Sequence, residues 1–239
     1  MFADVQIRIA TCNYYHTLHV DLWQAQMLNP PPITCALVDI GGVLLSNGWD
    51  RLARKRAAEH FSVDFTELDE RHHLNFEVFE IGKLTLADYL TRVVFHCKRE
   101  FSPVEFQAFM FAQSTPIADM LALITQLKHH YGLTMVALSN EGREVNAHRI
   151  STFQLTRIFD FFVSSCYVKM RKPDPDMFQL AFDLVQTPAP QIVYIDNTLL
   201  FTNIVSRMGI HSIHHQDLTQ SREQLAALGL SLPVTTIIT

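Results

Sequence analysis

Asp39 closes the apolar run Cys35-Ala36-Leu37-Val38 and is followed at once by Ile40-Gly41-Gly42-Val43-Leu44. A carboxylate at the tip of a buried strand, facing a glycine turn, is where an α/β protein places a reacting group against a phosphate. A strand-end Asp before a turn is common by itself. Three later strand ends, however, carry the partners such a site needs: Ser139-Asn140 after residues 134–138, Lys172 in a Lys-Pro-Asp-Pro turn, and Asp196-Asn197 after residues 191–195. Gly41 and Gly42 let the backbone approach a phosphoryl group closely and offer amides to its oxygens, although two glycines also simply make a tight turn. A hydroxyl and an amide like those of Ser139 and Asn140 can bind phosphate oxygens or can cap a helix. Lys172 lies just before a helix whose N-cap is Asp174, and a cation at that positive end needs an anion nearby. A phosphate or the Asp39 carboxylate would supply one.

These residues can meet only if strands carry them to one edge. Strand candidates at residues 34–40, 134–138, 161–164, 191–195 and 210–213 alternate with helical patterns, which argues for a parallel sheet covered on both faces. Thr115-Pro116 and Asp174-Pro175 pair an N-cap residue with a helix-opening proline, predicting helices over 117–130 and 176–185. Residues 47–114 hold at least three helical patterns, at 50–60, 86–98 and 103–113, two of them opened by the capping boxes Thr85-x-x-Asp88 and Ser102-x-x-Glu105. So long a helical stretch is no ordinary connection. It reads as an inserted cap over the C-terminal edge of the sheet, where open α/β sheets bind ligands. The expected organisation is therefore a peripheral extension over residues 1–33, containing the alternative start Met27, a core of 34–46 and 115–239, and a helical cap of 47–114.

The chain of 239 residues is 48% hydrophobic and 18% charged, a balance that excludes a disordered or fibrous class. Its net charge is −5 and no segment gathers Lys and Arg into a duplex-binding stripe, so nucleic acid is not an expected partner. No apolar run approaches the roughly 18 residues of a membrane span, and no basic segment precedes an apolar one at the start. The expected location is the cytoplasm. Cys12, Cys35, Cys97 and Cys166 lack metal-type spacing; Cys35 and Cys97 lie in apolar segments and are expected to be buried thiols. His211, His214 and His215 cluster without Cys or acidic partners at zinc spacing and read as structural or surface groups, as do Lys169 and Arg171.

The ordered set Asp39-Ile-Gly-Gly-Val-Leu, Ser139-Asn140, Lys172-Pro-Asp-Pro and Ile195-Asp196-Asn197 resembles the four motifs of the haloacid dehalogenase-like hydrolase superfamily. The position of the helical block resembles that superfamily's helical-cap subgroup. Residues 79–85, Phe-Glu-Ile-Gly-Lys-Leu-Thr, are similar to cap segments of sugar-phosphate phosphatases. The resemblance implies an α/β, Rossmann-like parallel sheet with helices on both faces plus an inserted helical cap. It also implies a Mg²⁺-dependent phosphatase acting on a small phosphorylated metabolite, as a monomer or homodimer without nucleic-acid or membrane partners. By the same resemblance Asp39 attacks phosphorus to form an aspartyl-phosphate, a mixed anhydride that water then cleaves. Lys172 is its catalytic partner, Gly42, Ser139 and Asn140 bind the phosphoryl group, and Asp39, the Gly41 carbonyl, Asp196 and Asn197 hold Mg²⁺.

Two positions depart from that pattern. Most such phosphatases read Asp-x-Asp, the second Asp being the general acid and base, and here Gly41 stands in its place. An α-glucose-1-phosphate phosphatase branch is similar in carrying Gly there. The fourth motif is usually Asp-Asp, and Asn197 brings a carbonyl without a charge. The alternative reading is a low-turnover fold relative that binds a ligand or regulates a partner. A haloacid dehalogenase is a third, which the retained Asp196 opposes because that chemistry needs no metal. Cap side chains such as Asn47, Trp49 and Arg51 are expected to set specificity, and Glu80 or Glu141 could supply the missing proton.

Overall fold

The computed structural model describes residues 32–232. Five strands form one parallel sheet: β1 (Cys35–Val38), β2 (Thr134–Ser139), β3 (Phe161–Ser164), β4 (Ile192–Asp196) and β5 (His211–His214), in the order β3-β2-β1-β4-β5. The first strand is thus central, with β2 on one side and β4 on the other. Val38 is in register with both Ala137 and Ile195, so Asp39 and Asp196 come level at the carboxyl edge and Ser139 ends its strand one residue beyond them. That edge, where the strand order reverses, is the crevice in which open α/β sheets bind ligands.

Alternation along the strands fills two cores. Ala36, Val38, Met135, Ala137, Val193 and Ile195 face one side and pack with Met120, Leu123, Ile124 and Leu127 of the helix Ala118–Tyr131. Cys35, Leu37, Val136, Leu138, Ile192 and Tyr194 face the other and pack with Met177, Phe178 and Ala181 of the helix Pro175–Val185. Apolar residues on both faces are what a doubly covered sheet requires.

Between β1 and the helix Ala118–Tyr131 the chain makes four helices: α1 (Arg51–Phe61), α2 (Phe65–Glu80), α3 (Leu86–Val93) and α4 (Pro103–Ala112). Both expected capping boxes form, at Thr85/Asp88 and Ser102/Glu105. The block has its own core around Tyr89, Phe106, Leu90 and Val93. Its entrance and exit lie side by side: Ser46 N donates to Thr115 O at 2.8 Å, and Thr115 N donates to Ser46 Oγ at 2.9 Å.

Three expectations need correction, and one helix lies outside the patterns the sequence marks. Helix α2 has no periodic apolar stripe, burying only Leu68 and Phe79, and is held by its Asp64 cap and the Arg54–Asp69 ion pair instead. Helix α3 stops at the β-branched pair Val93-Val94 rather than running to residue 98, which leaves Cys97 exposed. Cys35 and Cys166 are buried thiols. Thr115 does not cap the next helix, α5 (Ala118–Tyr131), because the linker pairing claims it; that helix starts after Ile117 without a side-chain cap. The extension call, Met27 and Cys12 lie outside the described residues. Among those described, no helix is long and apolar enough to cross a membrane.

Candidate active site

Lys172 is the hub. It is 1% exposed, and its Nζ lies 3.0 Å from Asp39 Oδ1, 2.7 Å from Asp196 Oδ2 and 3.0 Å from the Leu138 carbonyl. The anion that its place before a helix required is therefore supplied twice, by the ends of β1 and β4. Burial alone would lower the lysine, but the two carboxylates overcome it and hold the ammonium above its ordinary value. Burial pushes Asp39 up to about 7 against the pull of Lys172, with Asp196 and Glu141 adding to the rise. Asp39 Oδ1 also accepts from Ile40 N at 2.9 Å, which orients the carboxyl and leaves Oδ2 for other work.

Asp196 is fully buried. Its Oδ2 accepts from Lys172 and from the Tyr194 hydroxyl, and its Oδ1 accepts from Thr198 N at 2.7 Å. Tyr194 was not singled out in the sequence, yet it precedes Asp196 by two in the strand, and a period of two puts both on one face. Burial, then the charge of Asp196, raises its phenol well above the ordinary value, so it remains a donor.

The second motif divides. Ser139 ends β2, is 1% exposed, and its Oγ has no hydrogen-bond partner among the described residues. The helix-cap alternative does not apply to it, because Gly142 is the N-cap of the next helix, α6 (Arg143–Thr152). A buried hydroxyl without a partner costs free energy unless a ligand completes it. Asn140 is engaged: its Nδ2 donates to the Lys172 carbonyl at 2.8 Å, and its Oδ1 accepts from Lys172 N at 2.9 Å. It holds the lysine turn in place.

Gly42 has φ +77°, and a Cβ there would come within 2.0 Å of Asn197 Nδ2. Only glycine fits. Asn197 thereby lies over the turn that follows Asp39, where its amide approaches Asn47 Oδ1 at 3.5 Å. Asp39, the Gly41 carbonyl, Asp196 and the Asn197 amide could hold a metal. All are oxygens, the donor set of a hard cation, and only two are carboxylates. Among the described residues no group of three His, Cys, Asp or Glu could hold one, so a resident ion would keep several waters. The histidines near the end do other work: His214 bonds the Asn197 carbonyl at 3.1 Å and His215 bonds Ser221 Oγ at 2.7 Å.

Above the carboxyl edge lies a cavity of about 80 Å³ walled by Asn47, Trp49, His72, Phe79, Glu80, Glu141 and Arg149, among others. Phe79 closes over Gly142, where a Cβ would meet the ring at 2.1 Å. Arg171, expected at the surface, instead pairs with Glu77 and Glu80 at 2.9 Å each and ties α2 to the lysine turn. Burial raises Glu80 to about 7 in spite of Arg171. Trp49 Nε1 donates to Tyr89 Oη at 2.8 Å, and Tyr89 Oη and His72 Nδ1 share a hydrogen bond at 2.7 Å. Burial lowers His72 to about 3 and keeps the ring neutral. Arg51, another expected specificity residue, is turned to Asp69 and the Phe65 ring.

Residues 33–199 match the haloacid dehalogenase-like hydrolase family. The chain is 30% identical over 106 residues to bifunctional epoxide hydrolase 2 of Sus scrofa, a stretch that covers 42% of this chain and 19% of that protein. Its fold is similar to a HAD-family enzyme from Bacteroides thetaiotaomicron crystallised with magnesium and inorganic phosphate. The TM-score is 0.66 at 20% identity, over 79% of this chain and 98% of that one. It is also similar to the L-2-haloacid dehalogenase of Xanthobacter autotrophicus, with a TM-score of 0.56 at 16% identity over 81% of each chain.

Proposed function

Because the chain belongs to the haloacid dehalogenase-like hydrolases, we propose that it is a Mg²⁺-dependent phosphatase that hydrolyses a small phosphorylated metabolite through an aspartyl-phosphate on Asp39. The observation that carries this reading is the Asp39–Lys172–Asp196 cluster, with the partnerless Ser139 hydroxyl beside it. Lysine holds the nucleophile's Oδ1 at 3.0 Å, so Oδ2 is the oxygen that attacks. Ser139 Oγ donates to a phosphoryl oxygen, and the Gly42 turn lets that oxygen approach the backbone where no side chain could fit. Asn140 positions the lysine turn.

Asp39, the Gly41 carbonyl, Asp196 and Asn197 would hold Mg²⁺, whose contribution when bound is to neutralise phosphate charge. The magnesium and phosphate in the Bacteroides enzyme support the assignment. The buried Asp196 supports it too, because halide displacement from a haloacid leaves no phosphate charge for a metal to offset.

The test is a panel of phosphorylated metabolites and a generic aryl phosphate, assayed with Mg²⁺ and with chelator, beside a 2-haloacid. Release of phosphate that stops on chelation supports the proposal. Halide release without metal would replace it with the dehalogenase reading, and tight binding without turnover of either would replace it with a ligand-binding role.

A further inference from the structure

Gly41 leaves open the place where a second acidic side chain would stand, and the structure fills that place with a cation. A Cβ on Gly41 would lie 3.5 Å from Arg149 Nη1 and 3.7 Å from Asn47 Oδ1. Arg149 comes from α6 and is 3% exposed. Its Nε donates to Ser114 Oγ at 2.9 Å, its Nη1 to Glu141 Oε1 at 2.5 Å and its Nη2 to the Ser46 carbonyl at 2.8 Å. A guanidinium has five N–H groups, so Nη1 and Nη2 each keep one without an acceptor in these bonds. Glu141 is buried as well, and its second oxygen, Oε2, has no hydrogen-bond partner among the described residues.

Arg149 and Glu141 both line the cavity, together with Asn47 and Asn140. An ion pair made only for stability would close its hydrogen-bonding capacity, because an unpaired buried carboxylate oxygen is costly. This pair instead keeps a donor and an acceptor unsatisfied on two residues that line a cavity. A ligand that satisfies both must present an acceptor oxygen and a hydroxyl on neighbouring atoms.

We propose that Arg149 and Glu141 form a leaving-group subsite for phosphate monoesters whose alcohol carries a second hydroxyl next to the ester oxygen. Arg149 faces the ester oxygen and offsets the charge it gains as its bond to phosphorus breaks and the electron pair stays on oxygen. Glu141 Oε2 accepts the neighbouring hydroxyl. The guanidinium stays charged and gives up no proton, so the departing oxygen takes its proton from water. His72, a neutral imidazole, lines the same cavity. The inference rests on the phosphatase reading of the site.

The test compares two stable phosphonates by calorimetry with Mg²⁺ present: hydroxypropyl phosphonate, with its hydroxyl at the far end of the chain, and plain propyl phosphonate. A hydrogen bond to a buried charged group is worth about 1.5–3 kcal/mol, so the hydroxylated ligand should bind about 10–100-fold more tightly to the wild-type protein. In Glu141→Gln that preference should collapse toward unity, an effect that general loosening of the fold would not produce for one ligand of the pair alone. Equal affinities for the wild type would overturn the subsite, and this comparison needs no variant. A wild-type preference that Glu141→Gln leaves intact would overturn the role of Glu141. The matched phosphate esters are then assayed for hydrolysis. If binding discriminates and neither ester is hydrolysed, the phosphatase reading fails while the subsite stands; if both are hydrolysed without discrimination in binding, the reverse holds.

Discussion

Replacing Lys172 by methionine keeps the length and the apolar stem of the side chain. It removes the charge and the three contacts to Asp39, Asp196 and the Leu138 carbonyl. Two buried carboxylates then face one another with no cation between them. Breaking a buried ion pair by removing one partner costs about 3–5 kcal/mol. For a chain of this size about 2–4 °C of melting temperature goes with each kcal/mol, so Lys172→Met should melt roughly 6–20 °C below the wild type at pH 8. The pH dependence fixes the cause. Asp39 stands at about 7 in the folded protein against an ordinary 3.8, even with Lys172 pulling it down. Without the lysine it rises further and binds its proton still more tightly when folded. A carboxyl raised in this way favours the folded state at low pH and disfavours it as pH climbs through the folded value. The deficit should therefore be larger at pH 8 than in acid and shrink as the medium is taken down toward pH 4. Added Mg²⁺ should recover part of it at pH 8 by standing in for the lost charge. Thermal melts by circular dichroism across pH, with and without Mg²⁺, read all three effects. A variant that melts within about 2 °C of the wild type at pH 8, less than one kcal/mol, would refute the view of the triad as one electrostatic unit. So would a deficit that grows on acidification.

Three further outcomes are expected. Asp39→Asn should release no phosphate yet melt no lower than the wild type at pH 8, since it removes a carboxylate that burial already disfavours; phosphate release and thermal melts check the two halves. Asn197→Asp adds a charged oxygen over the Gly42 turn and should tighten Mg²⁺ by at least the roughly 10–100-fold seen for outlying changes at metal sites; Mg²⁺ activation curves read it, and an unchanged curve would put this side chain off the metal. General acid help is worth about 10²–10⁴-fold, and Arg149 stabilises charge without passing a proton. Aryl, acyl and anomeric phosphates should therefore outrun plain primary alkyl phosphates, and a series of aryl esters in which phosphorylation limits the rate should slope steeply with leaving-group pKa; a flat series would mean that a proton donor such as Glu80 acts.

The sheet was legible because its signals are short-range and redundant. Apolar runs flanked by turns located all five strands to within two residues at each end, and each predicted motif residue does sit at a strand end or in the lysine turn. Helix α2 was not legible, because Phe65–Glu80 buries two residues and is held by a cap and by ion pairs made with distant partners. Thr115 misled for a related reason: its local capping pattern lost to a pairing with Ser46, 69 residues away. At the site, residue type and order brought Asp39, Lys172 and Asp196 into view, since the pattern is carried by the strand ends themselves. Tyr194 was recoverable from its two-residue offset on β4. Arg149 was not, since nothing in a polar helix such as α6 marks which cation turns inward; only the space beside Gly41 and the carboxylate of Glu141 define its place.

The account turns on a covalent bond to Asp39. The direct measurement is rapid acid quenching of the protein during turnover of an aryl phosphate with Mg²⁺, followed by mass spectrometry of the peptide that contains Asp39. The account predicts an added phosphoryl group on Asp39 that is present at early times, decays as substrate is exhausted, and never forms in Asp39→Asn. Turnover that proceeds with Asp39 unmodified at every time, or with the phosphoryl group on another residue, would contradict it.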